Sequence, residues 1–407
     1  ELFVAAREAA AALAARGVEP GQRVAIALPP GTDFAVALHA IWLIGAVAVP
    51  HDLRLTAPER PPADHLLERL DRVPVNGTSL VATHDLDAQA LGLQTSGTSG
   101  TPKPVALTFG NVLWSALGSA AALGVEPDDV WLCTLPLSHV GGLSILARSA
   151  IYGTHALVHD RFDTGRALRA IETERVSLVS LVPTTLQRLL DAGLREPPAL
   201  RCALLGGAAV PPELQQRASA LGVRVAQTYG LTETCSQVTT QTPGNGQPDA
   251  GPPLFCTSVR IAPDGEIHVS GPTVAGGGEL ATGDLGLIDT DGRLTLIGRK
   301  ADTIVTGGEN VAPTEVEAVL VEHPAVAEAA VHGRPDPQWG EAVVATVVLR
   351  AGSAPAGVRG QELRDALASE LREHCGARLA AFKVPKAIAF AEELPRTRSG
   401  KLLRRAL

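Results

Sequence analysis

The sequence predicts an α/β protein: a large N-terminal domain of mixed sheets flanked by helices plus a β subdomain, then a smaller α+β C-terminal domain. Three observations carry this expectation. Apolar helical stretches alternate with short apolar strands over the first half of the chain, the signature of largely parallel sheets covered by helices. From residue 259 the texture changes to short strands separated by Gly/Asp turns. Beyond residue 300 a helix–strand alternation resumes over about a hundred residues, a normal domain size. At 407 residues the chain is also too long for one compact core.

In order, residues 3–16 form an Ala-rich helical pattern stopped by Gly17 and Gly21, and 23–28 read as a strand. A helix over 33–44, a strand over 46–49 and a polar, Pro-rich stretch over 58–74 follow. Next come a helix over 111–122, a strand over 131–135, a strand over 178–182, a helix over 183–191 and a strand over 202–205 running into Gly206-Gly207. The β subdomain comprises 259–261, 266–270, 286–289 and 294–297. A boundary is expected at 298–301, dividing the chain into 1–300 and 301–407. Past it, 316–322 and 361–374 are helical, and 327–332 and 342–349 are strands.

Composition narrows the function. The formal net charge of -8 argues against non-specific binding to nucleic acid or anionic membranes, so an anionic ligand must be met locally. The five cysteines, Cys133, Cys202, Cys235, Cys256 and Cys375, are scattered and form no CxxC pair, which fits reduced thiols in a cytoplasmic protein. The apolar run 35–50 contains His39 and Gly45 and falls short of a membrane span. No charged n-region or cleavage site precedes it. Methionine is absent, even at position 1, so the sequence need not start where translation does.

The densest chemistry lies in Thr95-Ser-Gly-Thr-Ser-Gly-Thr-Pro-Lys103. Gly97 and Gly100 permit turns in which successive N–H groups converge on an anion, while Thr95, Ser96, Thr98, Ser99 and Thr101 add hydroxyl donors. Lys103 adds a mobile charge between Pro102 and Pro104, which excludes a Walker loop running into a helix. A surface linker has no need of such a lysine. Gln227-Thr-Tyr-Gly-Leu-Thr-Glu-Thr234 offers Tyr229 to stack on a base, beside Gly230, and Glu233 to hold Mg²⁺; alone it would read as a strand-end turn with a buried Tyr. Thr282-Gly-Asp-Leu-Gly286 presents Asp284 in what reads as a tight turn suited to ribose hydroxyls. Gly298-Arg299, the stretch Lys300-Ala-Asp-Thr-Ile-Val-Thr-Gly-Gly-Glu-Asn310 and the closing Arg396-Thr-Arg-Ser-Gly-Lys401 complete the set. Lys401 is either a solvated tail residue or a cation for developing phosphoryl charge.

Together and in this order, these motifs resemble the adenylate-forming superfamily of acyl-CoA synthetases, luciferases and adenylation domains, over essentially the whole chain. The resemblance implies ATP, Mg²⁺ and a carboxylic acid giving an acyl-adenylate and pyrophosphate, then CoA attack giving a thioester and AMP. It also implies a mobile C-terminal lobe, with residues 95–103 cradling phosphates, Gly206, Gly207 and Ala208 with Tyr229 bordering adenine, and Thr232 contacting the α-phosphate. Glu233 would take the metal, Asp284 and Arg299 the ribose, and Lys401 adenylation. Gly307 and Gly308 would approach the CoA arm, and His139 would gate the acyl pocket.

Departures from the pattern are informative. Ala301 stands where the family usually has an Asp or Lys hinge, so its side chain can hold neither lobe orientation. Pro104 replaces the usual Gly, and the stretches 58–87 and 276–280 look short. No Asp lies near Ser138 or His139 to bind an α-amino group, which favours a non-amino acid. The runs 136–153 and 181–190 look most like those of 2-succinylbenzoate:CoA ligases of menaquinone synthesis. That substrate keeps one carboxylate anionic while the other reacts. Arg148 and Arg188 are its candidate partners, since each sits amid apolar residues where an unpaired Arg is costly; an arginine reaching from helix to solvent fits each equally well. Another aryl or medium-chain acid, transfer to a carrier protein, and a non-catalytic nucleotide-binding scaffold stay open as alternatives. Joint retention of Lys103, Glu233, Asp284, Arg299 and Lys401 counts against the scaffold. The oligomeric state is left open, a homodimer included.

Overall fold

The computed structural model describes residues 1–75, 77–95, 103–208, 210–350, 361–396 and 402–407. Ser96, Gly97, Thr98, Ser99, Gly100, Thr101 and Lys401 lie outside the described residues. The chain divides into two compact units, one of Glu1–Arg260, His268–Ala281 and Ile288–Thr295, the other of Ile261–Ile267, Thr282–Leu287 and Leu296–Leu407.

The first unit holds two sheets. In one, strands β1 (Arg23–Ile26), β2 (Val47–Pro50), β3 (His65–Leu67), β4 (Gln89–Thr95) and β5 (Lys103–Thr108) lie in the order β3-β1-β2-β4-β5. All are parallel except β5, which returns antiparallel to β4. Helices α1 (Leu2–Ala15) and α2 (Thr32–Leu43) bury their Ala- and Leu-rich faces in the same core as this sheet. The Pro-rich stretch therefore contains a strand, β3, which the sequence pattern did not show.

The second sheet follows α3 (Phe109–Leu123), whose first turn is closed by reciprocal bonds between Thr108 and Asn111. Its elements are β6 (Val130–Cys133), α4 (Val140–Tyr152), β7 (His155–Val158), α5 (Thr164–Thr173), β8 (Leu178–Leu181), α6 (Pro183–Asp191), β9 (Cys202–Leu205), α7 (Pro212–Ala220), β10 (Val225–Leu231) and β11 (Ser236–Thr240), with strand order β11-β10-β9-β8-β6-β7. Every residue of β8 and β9 is buried, as expected of parallel strands covered on both faces. Helices α5 and α7 were not among the sequence expectations; α5 buries Ala167, Ala170 and Ile171, and α7 buries Leu214, Gln215 and Ala218.

A four-stranded sheet, β12 (Ser258–Ile261), β13 (Glu266–Ser270), β14 (Glu279–Ile288) and β15 (Leu294–Arg299), follows in that order, and the division between the units passes through its strands. The fourth sheet lies in the second unit. It is built from β16 (Ile304–Thr306), β17 (Glu309–Val311), β18 (Val326–Asp336), β19 (Gly340–Leu349) and β20 (Ala387–Ala391), with α8 (Pro313–Val321) and α9 (Gln361–Gly376) on its core.

One ion pair ties the amino ends of β6, β8 and β9 together. Asp129 accepts from Arg201 Nε at 2.8 Å and from Ser177 Oγ at 2.6 Å. Burial would raise the Asp129 carboxyl, but the bonds from Arg201, Ser177 and the Glu126 amide override it and hold the group below the usual carboxylate range. A depressed folded pKa means stability present above the unfolded value and lost as pH falls through the folded one. Asp129→Asn is expected to cost about 3 kcal/mol at neutral pH, the low end for a broken buried pair because Arg201 is partly exposed. Urea unfolding of both proteins should show that gap intact above about pH 4 and closing on further acidification; a gap unchanged at about pH 2 would contradict the account.

Candidate active site

Strands β6, β8, β9 and β10 are mutually parallel, so their carboxyl ends share one edge of the sheet. Because β7 lies on one flank of β6 and β8 on the other, connections diverge there, which is where open α/β sheets form ligand crevices. Four sequence-predicted segments leave this edge. His139 follows β6 as the exposed residue before α4, Arg188 lies on α6 after β8, Gly206, Gly207 and Ala208 follow β9, and Tyr229 and Gly230 end β10.

The β10–β11 hairpin is fixed by close approach. A Cβ at Gly230 would collide with the Ser236 carbonyl oxygen, so only glycine fits beside the irregularity between Tyr229 and Gly230. Tyr229 is buried, with 7% of its surface exposed. Residues Thr232–Thr234 form a 3-10 turn in which Thr234 Oγ1 accepts the Leu231 amide at 3.0 Å, and the Glu233 carbonyl accepts Ala275 N at 2.8 Å. This turn packs against β4 and β5, whose register pairs Thr95 with Lys103. The structure therefore brings Thr232 and Glu233 beside both arms of the hairpin that bounds the predicted phosphate loop, with Lys103 exposed at its end.

The two candidate arginines part company. Arg188 is exposed on α6, so the argument from burial among apolar residues does not hold for it; a helical guanidinium reaching solvent describes its position. Arg148 is 2% exposed, on α4. Its Nη2 donates to Ser115 Oγ at 3.0 Å, that hydroxyl donates to the Cys235 carbonyl at 2.6 Å, and the guanidinium lies 5.8 Å from the Trp131 ring centroid. Nε has no partner, and among the described residues no carboxylate pairs with the group. Burial lowers its pKa from the usual guanidinium value. The cavity at Arg148, lined also by Leu38, Trp42, Leu91, Val140 and Leu143, measures about 10 Å³, so a bound acid requires lining side chains to move.

In the second unit, Asp284 accepts from Arg299 Nε at 2.7 Å, with the carboxylate buried and the guanidinium 42% exposed. Asp284 lies inside β14 rather than in a tight turn, next to a left-handed residue, Gly283. Ala301 contributes no bond, but its neighbours do: Lys300 pairs with Asp264 and Glu266, and Asp302 with Arg404. Gly307 and Gly308 form the β16–β17 turn. Gly307 N donates to the Trp339 carbonyl at 2.8 Å, and the Trp339 indole, 38% exposed, faces Lys386 Nζ 5.0 Å from its centroid. Sequence reasoning missed Trp339 and Lys386. Only the scarcity of tryptophan, four in the chain, could have drawn attention to the first.

The sequence profile of the AMP-binding enzymes matches residues 1–63 and 61–280, and that of the AMP-binding enzyme C-terminal domain matches 315–401. The chain belongs to the AMP-binding enzyme family. The 2-succinylbenzoate–CoA ligase of Bacillus subtilis (strain 168) is 36% identical over 458 residues, covering 100% of this chain and 92% of that protein. Two solved structures of o-succinylbenzoate CoA synthetase (MenE) from Bacillus subtilis are similar throughout. The complex with the acyl-adenylate intermediate OSB-AMP has a TM-score of 0.87 at 36% identity, covering 100% of this chain and 92% of that one. The complex with ATP and magnesium ion has a TM-score of 0.85 at 36% identity, covering 100% and 93%.

The donor set suits magnesium of the kind family members use with ATP. Glu233 offers a carboxylate oxygen, a hard ligand of the kind magnesium takes alongside phosphate oxygens and water; among the described residues there is no group of three metal-ligating side chains. Among the described residues no helix is long and apolar enough to cross a membrane. All five cysteines are free and buried, and burial pushes Cys133, Cys202 and Cys235 up to about 12, which keeps them inert.

An unpaired buried cation is a cost to the fold. Replacing it with an apolar side chain of similar length, Arg148→Met, should leave the urea midpoint unchanged or raise stability by about 1 kcal/mol or more; a loss above about 2 kcal/mol would show that the Ser115 bond outweighs the desolvation.

Proposed function

We propose that this protein is an ATP-dependent, AMP-forming 2-succinylbenzoate:CoA ligase, a cytoplasmic enzyme of menaquinone biosynthesis. The observation that carries the reading is Arg148: a guanidinium buried without a counter-charge, in a chain similar throughout to a ligase of 2-succinylbenzoate, an acid with two carboxylates. A dicarboxylic acid brings the missing anion and still has a second carboxylate to react.

In the first half-reaction an oxygen of the reacting carboxylate attacks the α-phosphorus of ATP, and pyrophosphate leaves with the cleaved P–O bond. Lys103, with Thr95 and the loop residues 96–101, holds the phosphates; Thr232 contacts the α-phosphate; Lys401, on the lobe 301–407, offsets charge that develops in the transition state. Magnesium, held by Glu233, supplies further neutralisation of the polyphosphate. Gly206, Gly207 and Ala208 with Tyr229 and Gly230 border the adenine, while Asp284 and Arg299 hold the ribose. In the second half-reaction the CoA sulfur adds to the acyl carbon, loses its proton, and AMP leaves. Gly307 and Gly308 let the CoA arm approach, with Trp339 offering a stacking face and Lys386 a cation for its nucleotide end. His139 gates the acid pocket. Arg148 takes the retained carboxylate; Arg188, being exposed, is the weaker candidate for that role.

Pyrophosphate–ATP exchange tests the reading. Exchange by the wild type should depend on added 2-succinylbenzoate and be lost in Lys401→Ala. Arg148→Met should lower kcat/KM for 2-succinylbenzoate on the order of 100-fold, the scale for truncating one member of a buried charge pair, and change that for benzoate little. Equal losses for both acids would overturn the assignment of Arg148.

A further inference from the structure

Strand β14 carries a left-handed residue whose amide is met by a side chain. Gly283 sits at φ +72, in the left-handed region, and its amide is met by a side chain: Gly283 N donates to Glu266 Oε1 at 2.8 Å. The next amide is also met by a side chain, Asp284 N donating to Thr282 Oγ1 at 3.1 Å, and that hydroxyl donates to the Ile267 carbonyl at 2.8 Å. Two consecutive amides, those of Gly283 and Asp284, are thus set by Glu266 and Thr282.

Glu266 is itself held. Its side chain is 11% exposed, and its second oxygen, Oε2, accepts from Lys300 Nζ at 2.7 Å, while Asp264 Oδ2 takes the same ammonium at 2.6 Å. Lys300 keeps the Glu266 carboxyl below the usual range, so at neutral pH it is ionised and can only accept. Arg299, the residue before Lys300, serves Asp284. Adjacent cations at the end of β15 therefore hold two acids, Glu266 facing the Gly283 amide and Asp284 the proposed ribose site. Glu266 is too well enclosed to be a solvated strand residue, and a carboxylate nine-tenths covered is retained at a cost unless its bonds do something for the fold or the site.

We propose that Glu266 is a positioning residue for the nucleotide: by accepting the Gly283 amide it holds the left-handed backbone that aims the Asp284 carboxylate at the ribose hydroxyls, its other oxygen meeting Lys300. This rests on the reading that Asp284 receives the ribose. Its chemical consequence is selective. A misaimed Asp284 loses its grip on the hydroxyls alone, and the phosphate and base contacts are untouched.

The test is the ratio of affinities for ATP and 2′,3′-dideoxy-ATP, measured by isothermal titration calorimetry on the full chain. Asp284→Asn is the reference and should collapse the ratio by about tenfold, the scale of a hydrogen bond to a charged group. Two substitutions at 266 separate length from charge. Glu266→Asp keeps the charge for Lys300 but withdraws the acceptor from Gly283 N, and should collapse the ratio as Asp284→Asn does while leaving dideoxy-ATP affinity unchanged. Glu266→Gln keeps the acceptor and drops the charge, and should hold the ratio within about twofold of wild type, since the Lys300 pair is half exposed. Glu266→Asp combined with Asp284→Asn should be no worse than Asp284→Asn alone. A wild-type ratio in Glu266→Asp, or equal weakening of both nucleotides in either variant at 266, overturns the proposal. A wild-type ratio in Asp284→Asn overturns the ribose reading and this inference with it.

Discussion

Strands buried on both faces leave polar chemistry only their ends, and that constraint organises the first unit. In the second sheet β8 and β9 are wholly buried, so nothing catalytic can stand on their faces. The functional segments are displaced to the shared carboxyl edge, where β6, β9 and β10 release His139, Gly206–Gly207 and Tyr229–Glu233. The same apolar packing is what makes Arg148 informative. A guanidinium in that interior, held by one hydroxyl and an indole face, needs an anion that the described residues do not provide.

The second unit meets its needs differently, by neutralising acids locally. Asp284, Glu266 and Asp264 are matched by Arg299 and Lys300, and Asp302 and Glu317 share Arg404. These pairs flank Ala301 on either side, so the chain entering and leaving that residue is pinned although its own methyl group can bond nothing. The absence of a polar hinge side chain is thereby confined to one residue.

Much of this was legible in the sequence, for identifiable reasons. Apolar periodicity placed α2, β8 and β9 because their burial is nearly complete, and the motif order gave the family. What the sequence hid was whatever depends on long-range placement. Strand β3 is three residues long and carries no pattern of its own. Asp284 was expected in a turn because Gly-Asp commonly makes one, whereas it lies within β14, where the Gly283 amide bonds Glu266, seventeen residues away. Arg148 and Arg188 looked equivalent, each at a helical position among leucines; only packing separates the buried one from the exposed one. Trp339 and Lys386 sit 47 residues apart and become a pair only once β18, β19 and β20 are laid side by side.

The proposed activity turns on one property of the substrate, a second carboxylate. It is tested most directly by mass spectrometry of the thioesters formed when the protein is incubated with ATP, Mg²⁺, CoA and an equimolar mixture of 2-succinylbenzoate, benzoate and octanoate. 2-Succinylbenzoyl-CoA should dominate the products. Dominant benzoyl- or octanoyl-CoA would contradict it, because neither acid has a second carboxylate to offer Arg148.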